Sequence, residues 1–217
     1  MPYESALDQP HRSLISNLFC RRSLLFDLGL ATLLIVAGIW LRLAFLHLPN
    51  FAPVAGFGLF AGFLLTRKSV ALLVPAAIVV ISDFWIGTYH PGIMLSVLGC
   101  FLVTPLLGAW LKRAYQRTGV ASAFVARLKT LACVLGGSIL FFIVTNLAVW
   151  CCSTHLGFWE CYVNAIPFYR FTLYGDLCFS FALFGSYELV HLTTKLSRTS
   201  ELVASDCQQP VALPSQL

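Results

Sequence analysis

The chain alternates long apolar runs with short polar breaks, and the runs are too long for the core of a small soluble domain. Leu24–Leu41, extended to Leu48 across Arg42 and His47, predicts a first membrane helix. The break at His47-Leu-Pro-Asn50 ends it, because proline disfavours helix in the residue before it. Phe51–Thr66 is a second run of about 16 residues, short against the roughly 20 that span a bilayer. It holds Gly56, Gly58 and Gly62, and Arg67-Lys68 close it. Ser69–Gly87, Ile93–Leu111, Leu131–Trp150 and Phe171–Leu192 follow as further spans, with Pro75 and Pro105 inside the third and fourth. Thr88–Gly92 is a tight connection rich in turn residues. Cys151–Arg170 is the longest connection, and its amphipathic middle, Phe158–Pro167, is expected to lie at the interface or re-enter. Runs this long are helices, since barrel strands alternate and are about half as long. The expected fold is an all-α polytopic bundle of six transmembrane helices. Residues 1–22 would be an N-terminal tail, 23–193 the membrane domain and 194–217 a disordered tail.

Composition strengthens this picture. Hydrophobic residues make up 59% of the 217 and charged residues only 11%, too few to clothe a water-soluble sphere. Lipid is the expected partner. The first run is longer than the apolar core of a signal peptide, and no small-x-small cleavage site follows it. The net charge of +5 comes from clusters between apolar runs, a membrane-face pattern that argues against nucleic acid. With the N-terminus inside, Lys and Arg fall twelve inside and two outside, the latter being Arg42 and Arg170. That asymmetry obeys the positive-inside rule and puts both termini in the cytoplasm. The eight cysteines show no metal-binding spacing, and a disulfide among Cys151, Cys152 and Cys161 stays open.

Polar groups inside a bilayer cost about 2.5–3.5 kcal/mol each, so their depth carries information. Arg42, Asn50, Asp83, His90, Thr145, Asn146, Glu160, Asn164, Arg170 and Asp176 all fall in the outer half or outer loops. Asp27 and Glu188, in the cytoplasmic halves, sit near span ends where they are expected to reach the interface. On the sixth span Thr172, Asp176, Ser180, Tyr187 and His191 form one stripe, and on the fifth Ser138 and Thr145 share a face beside Asn146. Both faces should point into the bundle, around a polar cavity open to the outside. Two roles stay open for the charges. Asp83 and Asp176 either pair with Arg42 and Arg170 to close the bundle or meet a ligand. His90 is either a satisfied turn residue or a contact. Trp85, Trp150 and Trp159 read as interfacial anchors.

An enzyme is not expected. There is no Gly-x-Ser-x-Gly elbow, no His-Glu-x-x-His pair and no P-loop, so ATP hydrolysis would have to come from a partner. No metal and no cofactor are expected.

Several strings nevertheless belong together: Leu48-Pro-Asn-Phe-Ala-Pro-Val-Ala55, Leu59-Phe-Ala-Gly62, and Ser82-Asp83 with Gly87. Thr145-Asn146-x-x-x-Trp150, Cys161-Tyr-x-x-Ala-Ile-Pro-Phe168, Thr172 and Gly175-Asp176 complete the set. Over about residues 24–192 the chain resembles a family of small bacterial membrane proteins known only as a domain of unknown function. In architecture it also resembles the substrate-binding S component of energy-coupling-factor vitamin transporters. That likeness implies capture of a vitamin or metal from outside, with a separate transmembrane coupling subunit and ATPases as partners. The Ala-x-x-x-Ala docking patch of such proteins is missing between Leu24 and Leu46, so docking would fall to Gly58 and Gly62. The expectation is a bacterial inner-membrane protein that binds an unidentified small molecule through Asn50, Asp83, His90, Asn146, Glu160, Arg170 and Asp176. Its rival is a non-transporting scaffold whose polar groups only lock helices together.

Overall fold

The computed structural model describes residues 9–48, 50–118, 123–152 and 157–207. Six helices follow one another: α1 (Gln9–Ala44), α2 (Val54–Leu64), α3 (Lys68–Ile86), α4 (Pro91–Thr118), α5 (Ala123–Cys152) and α6 (Phe158–Cys207). Among the described residues there is no strand.

The short second run is the centre of the bundle. α2 is 11 residues long, about 16 Å at 1.5 Å per residue and well short of a hydrocarbon core. It is apolar all round, as a helix surrounded by other helices must be. Nine of its residues, including Val54, Phe57, Leu59 and Phe63, are buried. It touches all five other helices. Against α4 the backbones meet directly. A Cβ on Gly62 would overlap the Pro105 carbonyl, one on Gly108 the Leu59 carbonyl, and one on Gly58 the Thr104 hydroxyl. Small residues permit this approach, which maximises dispersion contact where lipid gives no hydrophobic drive. Gly58 and Gly62 are therefore covered by α4 and offer no docking face to a partner.

Proline in α4 is accommodated locally. Pro105 has no N–H for the Phe101 carbonyl, and the Thr104 hydroxyl donates to that oxygen instead at 2.7 Å. The α2–α3 connection is also satisfied by other helices. Asp27 of α1 is 2% exposed, and its carboxylate accepts the Thr66 and Arg67 N–H groups at 3.1 Å each. It thus caps the start of α3 from outside that helix. Lys112 donates to the Leu64 and Leu65 carbonyls at 3.3 and 3.4 Å at the end of α2. Asp27 does not reach the interface as expected, because these donors hold it inside. Glu188 pairs with Arg127 at 2.8 Å.

Four stretches are long and apolar enough to cross a membrane: Leu24–Ala44, Lys68–Ile86, Pro91–Gln116 and Phe124–Cys152. Their outward faces are rich in large apolar groups such as Leu33, Trp40, Leu73, Phe84, Leu95 and Ile139. Such a surface is compatible with a membrane protein. Of the six expected spans, α2 is too short for this test, and α6 carries Arg170, Asp176 and Glu188 in its apolar stretch.

One expectation about a connection is corrected. Residues 158–170 are not a loop but the start of α6, which runs through Pro167. The Gly157 N–H donates to Glu160 at 3.1 Å, the third-residue half of a capping box, and fixes the helix start there. α6 runs on through 194–207 into the expected C-terminal tail, with no glycine or proline to interrupt it before Pro210. α1 likewise begins at Gln9, within the expected N-terminal tail.

A candidate ligand cavity

A cavity of about 450 Å³ lies at the end of the bundle formed by the α1–α2, α3–α4 and α5–α6 connections. Four groups of residues build it. The end of α1 and the following turn give Arg42, Phe45, Asn50 and Phe51. The α3–α4 region gives Tyr89, Ile93, Val97 and Phe101. α5 gives Phe141, Phe142, Thr145 and Asn146, and α6 gives Phe168, Tyr169, Thr172 and Asp176. Aromatic and aliphatic groups make up most of the wall, with a few polar groups between them, the usual make-up of a small-molecule site.

The turn that brings Asn50 to this wall follows from local chemistry. The Phe51 N–H donates to the Leu48 carbonyl at 3.3 Å, and Asn50 between them has a φ of 60°. Asparagine tolerates that left-handed conformation better than most residues. Gly175 lets α6 approach the next stretch, for a Cβ there would lie 3.1 Å from the Ala52 nitrogen.

The expected stripes do point inward. Thr172, Asp176 and Ser180 of α6 and Ser138 and Thr145 of α5 are buried. Tyr187 is half-buried against the Phe63 ring, while the His191 side chain lies outside the described residues. Ser138 donates to Asp176 Oδ2 at 2.5 Å, across α5 and α6. Asn146 donates through Nδ2 to the Phe142 carbonyl of its own helix at 2.7 Å.

Asp83 stands apart from the wall. It is 1% exposed and forms an ion pair with Arg42 at 2.8 Å. Arg42 also donates to Ser82 Oγ at 2.5 Å and to the Val79 carbonyl at 3.3 Å. The Tyr89 hydroxyl donates to Asp83 Oδ2 at 3.4 Å. In the α3–α4 connection, burial and the neighbouring Asp83 charge push the Tyr89 phenol up to about 12 from its ordinary 10.0. Of the cavity's charged wall, Arg42 is thus already balanced.

The seven expected ligand residues therefore divide. Asn50, Asn146 and Asp176 line the cavity, and Asp83 sits behind Arg42. His90, Glu160 and Arg170 do not line it. His90 begins α4: its carbonyl accepts the Ile93 and Met94 N–H groups at 3.0 Å, and its Nδ1 accepts the Gly92 N–H at 3.2 Å. Pro91 at the first helical position suits that start. Glu160 caps α6. Arg170 is exposed with its guanidinium 4.9 Å from the Phe171 ring, so it neither pairs with Asp176 nor reaches a cavity ligand. Arg42, Tyr89 and the aromatic wall were not in that set, and no periodic signal marks Tyr89 in its turn. Cys151, Cys152 and Cys161 are free thiols, and Cys161 donates to the Asn146 carbonyl at 3.5 Å. Among the described residues no three His, Cys, Asp or Glu side chains converge as metal ligands would.

The family described as "Family of unknown function (DUF6580)" matches residues 23–200. The chain belongs to that family. Its match spans α2–α5 entirely, most of α1 and α6, and every residue of the cavity wall. The strings that carry the sequence resemblance meet here in space, with Asn50, Thr145, Asn146, Thr172 and Asp176 on one wall. No curated protein and no solved structure matches the chain of this DUF6580 member.

Proposed function

We propose that this protein is a six-span inner-membrane protein of a bacterium, with both termini cytoplasmic, that takes a small solute into the cavity from the non-cytoplasmic side. Its role is that of the substrate-binding subunit of an uptake system, resembling an S component, with a coupling subunit and ATPases supplying energy. The observation that carries this reading is the cavity itself. At about 450 Å³ it falls in the range of small-molecule sites, and it combines an aromatic wall with a buried carboxylate. Two further facts support the topology. The twelve-to-two distribution of Lys and Arg supports a cavity end opposite the basic end. α6, though too polar for a lipid-facing span, turns its polar stripe onto α5 and so hides it from lipid.

A scaffold role is the second reading. It draws on the Asp27 and Arg42–Asp83 contacts, in which each buried carboxylate already has its donors or its cation. Mass spectrometry of small molecules retained by the purified protein, with a thermal-shift panel of vitamins and metals, separates the two. Solute binding predicts a retained compound that raises the melting temperature and loses this effect in Asn146→Leu, a protein that still folds. A panel without response and an empty spectrum would leave the scaffold.

A further inference from the structure

Charge bookkeeping around the cavity narrows the ligand class. Among the described residues, Arg42 is the one lining side chain with a fixed positive charge. It is neutralised by Asp83 at 2.8 Å, and its Nη1 donates to Ser82 and Val79. Its charge is balanced without an anionic ligand. Asp176 is in the opposite situation. It is 4% exposed, lines the cavity, and receives a hydrogen bond from the neutral Ser138 hydroxyl at 2.5 Å. The two exposed groups that could have balanced it lie elsewhere: Arg170 faces away over Phe171, and His90 begins α4. With all three ionised, the wall and the carboxylate behind it carry one net negative charge. An isolated carboxylate in apolar surroundings is costly, and a cation beside it offsets that cost.

The rest of the wall suits the same partner. Phe45, Phe51, Phe141, Phe142, Phe168 and Tyr169 line the same cavity as the carboxylate. Aromatic faces attract cations, most strongly where water is excluded. A small inorganic ion would leave most of this space unfilled, whereas an apolar body attached to the charge would fill it.

We infer that the cavity takes a singly charged organic cation, its ammonium group on the Asp176 carboxylate and its apolar body among the rings. This rests on the solute-binding reading above, and the experiment keeps the two separable.

Detergent-purified protein is exposed to benzyltrimethylammonium and to uncharged and anionic compounds of similar size, benzyl alcohol and benzenesulfonate. The cation is expected to raise the melting temperature and to bind at least about tenfold more tightly than either counterpart, the factor a modest ionic contact supplies. Asp176→Asn is expected to erase that preference. Equal or better binding of the alcohol or the sulfonate overturns the charge assignment and leaves solute binding standing. A second measurement decides where no probe binds or where Asp176→Asn fails to fold. Asn146→Cys, with Asp176 intact, is labelled with trimethylammonium-ethyl and sulfonatoethyl methanethiosulfonates and read by difference against the parent protein. Relative to the same reagents on a free thiol, the cationic reagent should be favoured about tenfold. No preference overturns the inference. Failure of both reagents to reach the introduced thiol removes the open cavity, and with it the solute-binding reading itself.

Discussion

The bundle has a closed side and an open side, and they treat buried charge in opposite ways. Where α1, α2, α3 and α4 meet, glycines bring backbones into contact, and Asp27 and Asp83 are each held by several donors or a cation. At several glycines of α5 and α6 there is more room. Gly136 and Gly137 of α5 and Gly185 of α6 have open space where a Cβ would sit. Asp176 faces a cavity there with a serine for support. The same residue type is a lock on one side and, in the proposed reading, a ligand contact on the other. What distinguishes them is completeness of partners, since depth is alike: Asp83 is 1% and Asp176 4% exposed.

The closed side is the place for the largest effects. Asp83→Asn leaves Arg42 charged, partly buried and unpaired, a class of change that costs about 3–5 kcal/mol. Arg42→Leu combined with Asp83→Asn should recover most of that loss, as expected when the harm lies in the orphaned charge. Melting temperatures of the two single variants and the double variant in detergent measure it, and strictly additive losses would refute the lock. Gly62→Ala comes next. The new Cβ meets the Pro105 backbone, which has little room to yield, so about 1–3 kcal/mol is expected. Gly137→Ala on the open side has no such neighbour and should be tolerated. Equal losses in the two glycine variants would remove the contrast between the sides.

Much of this contrast is written in the residues, but unevenly. The apolar runs locate all six helices, because lipid exposure and burial both demand them. The stripe of Thr172, Asp176 and Ser180 gives the inward face of α6, since its 3.6-residue period is independent of what packs against it. The short, glycine-rich second run hints at close packing, yet its place at the centre depends on five partners that no local pattern specifies. Of the two roles the sequence leaves open for Asp83, the structure forms the pair with Arg42; the face α3 turns to Arg42 is a tertiary fact that no local pattern settles. Arg170 is misjudged. Reading Phe158–Pro167 as a separate loop hides that Arg170 and Asp176 share one helix. Six residues apart at about 100° each, they point about 120° away from one another.

A smaller effect probes the rim of the lock. Tyr89 donates to Asp83 and its phenol is pushed up to about 12 from 10.0. Its folded form therefore holds the proton where the unfolded chain has begun to lose it. This contribution to stability is intact below about pH 10 and is lost as the pH rises towards 12. Tyr89→Phe should flatten that part of the alkaline stability profile while leaving the profile near neutrality similar in shape. An unchanged alkaline slope would place Tyr89 outside the network.

The smallest effect is expected at the residue on which the proposed site rests most. Asp176→Asn in protein without solute replaces a buried carboxylate by a neutral amide of the same shape. The amide oxygen still accepts the Ser138 hydroxyl, and the change relieves the cost of holding an unbalanced charge away from water. No cation is orphaned by it, in contrast to Asp83→Asn. The net change should stay within about 1 kcal/mol, the range of substitutions that break no lock. Chemical or thermal unfolding of the empty variant beside Asp83→Asn makes the comparison direct. A loss at Asp176 as large as that at Asp83 would mean that the carboxylate holds α5 to α6, and the open side would then be a second lock and not a site.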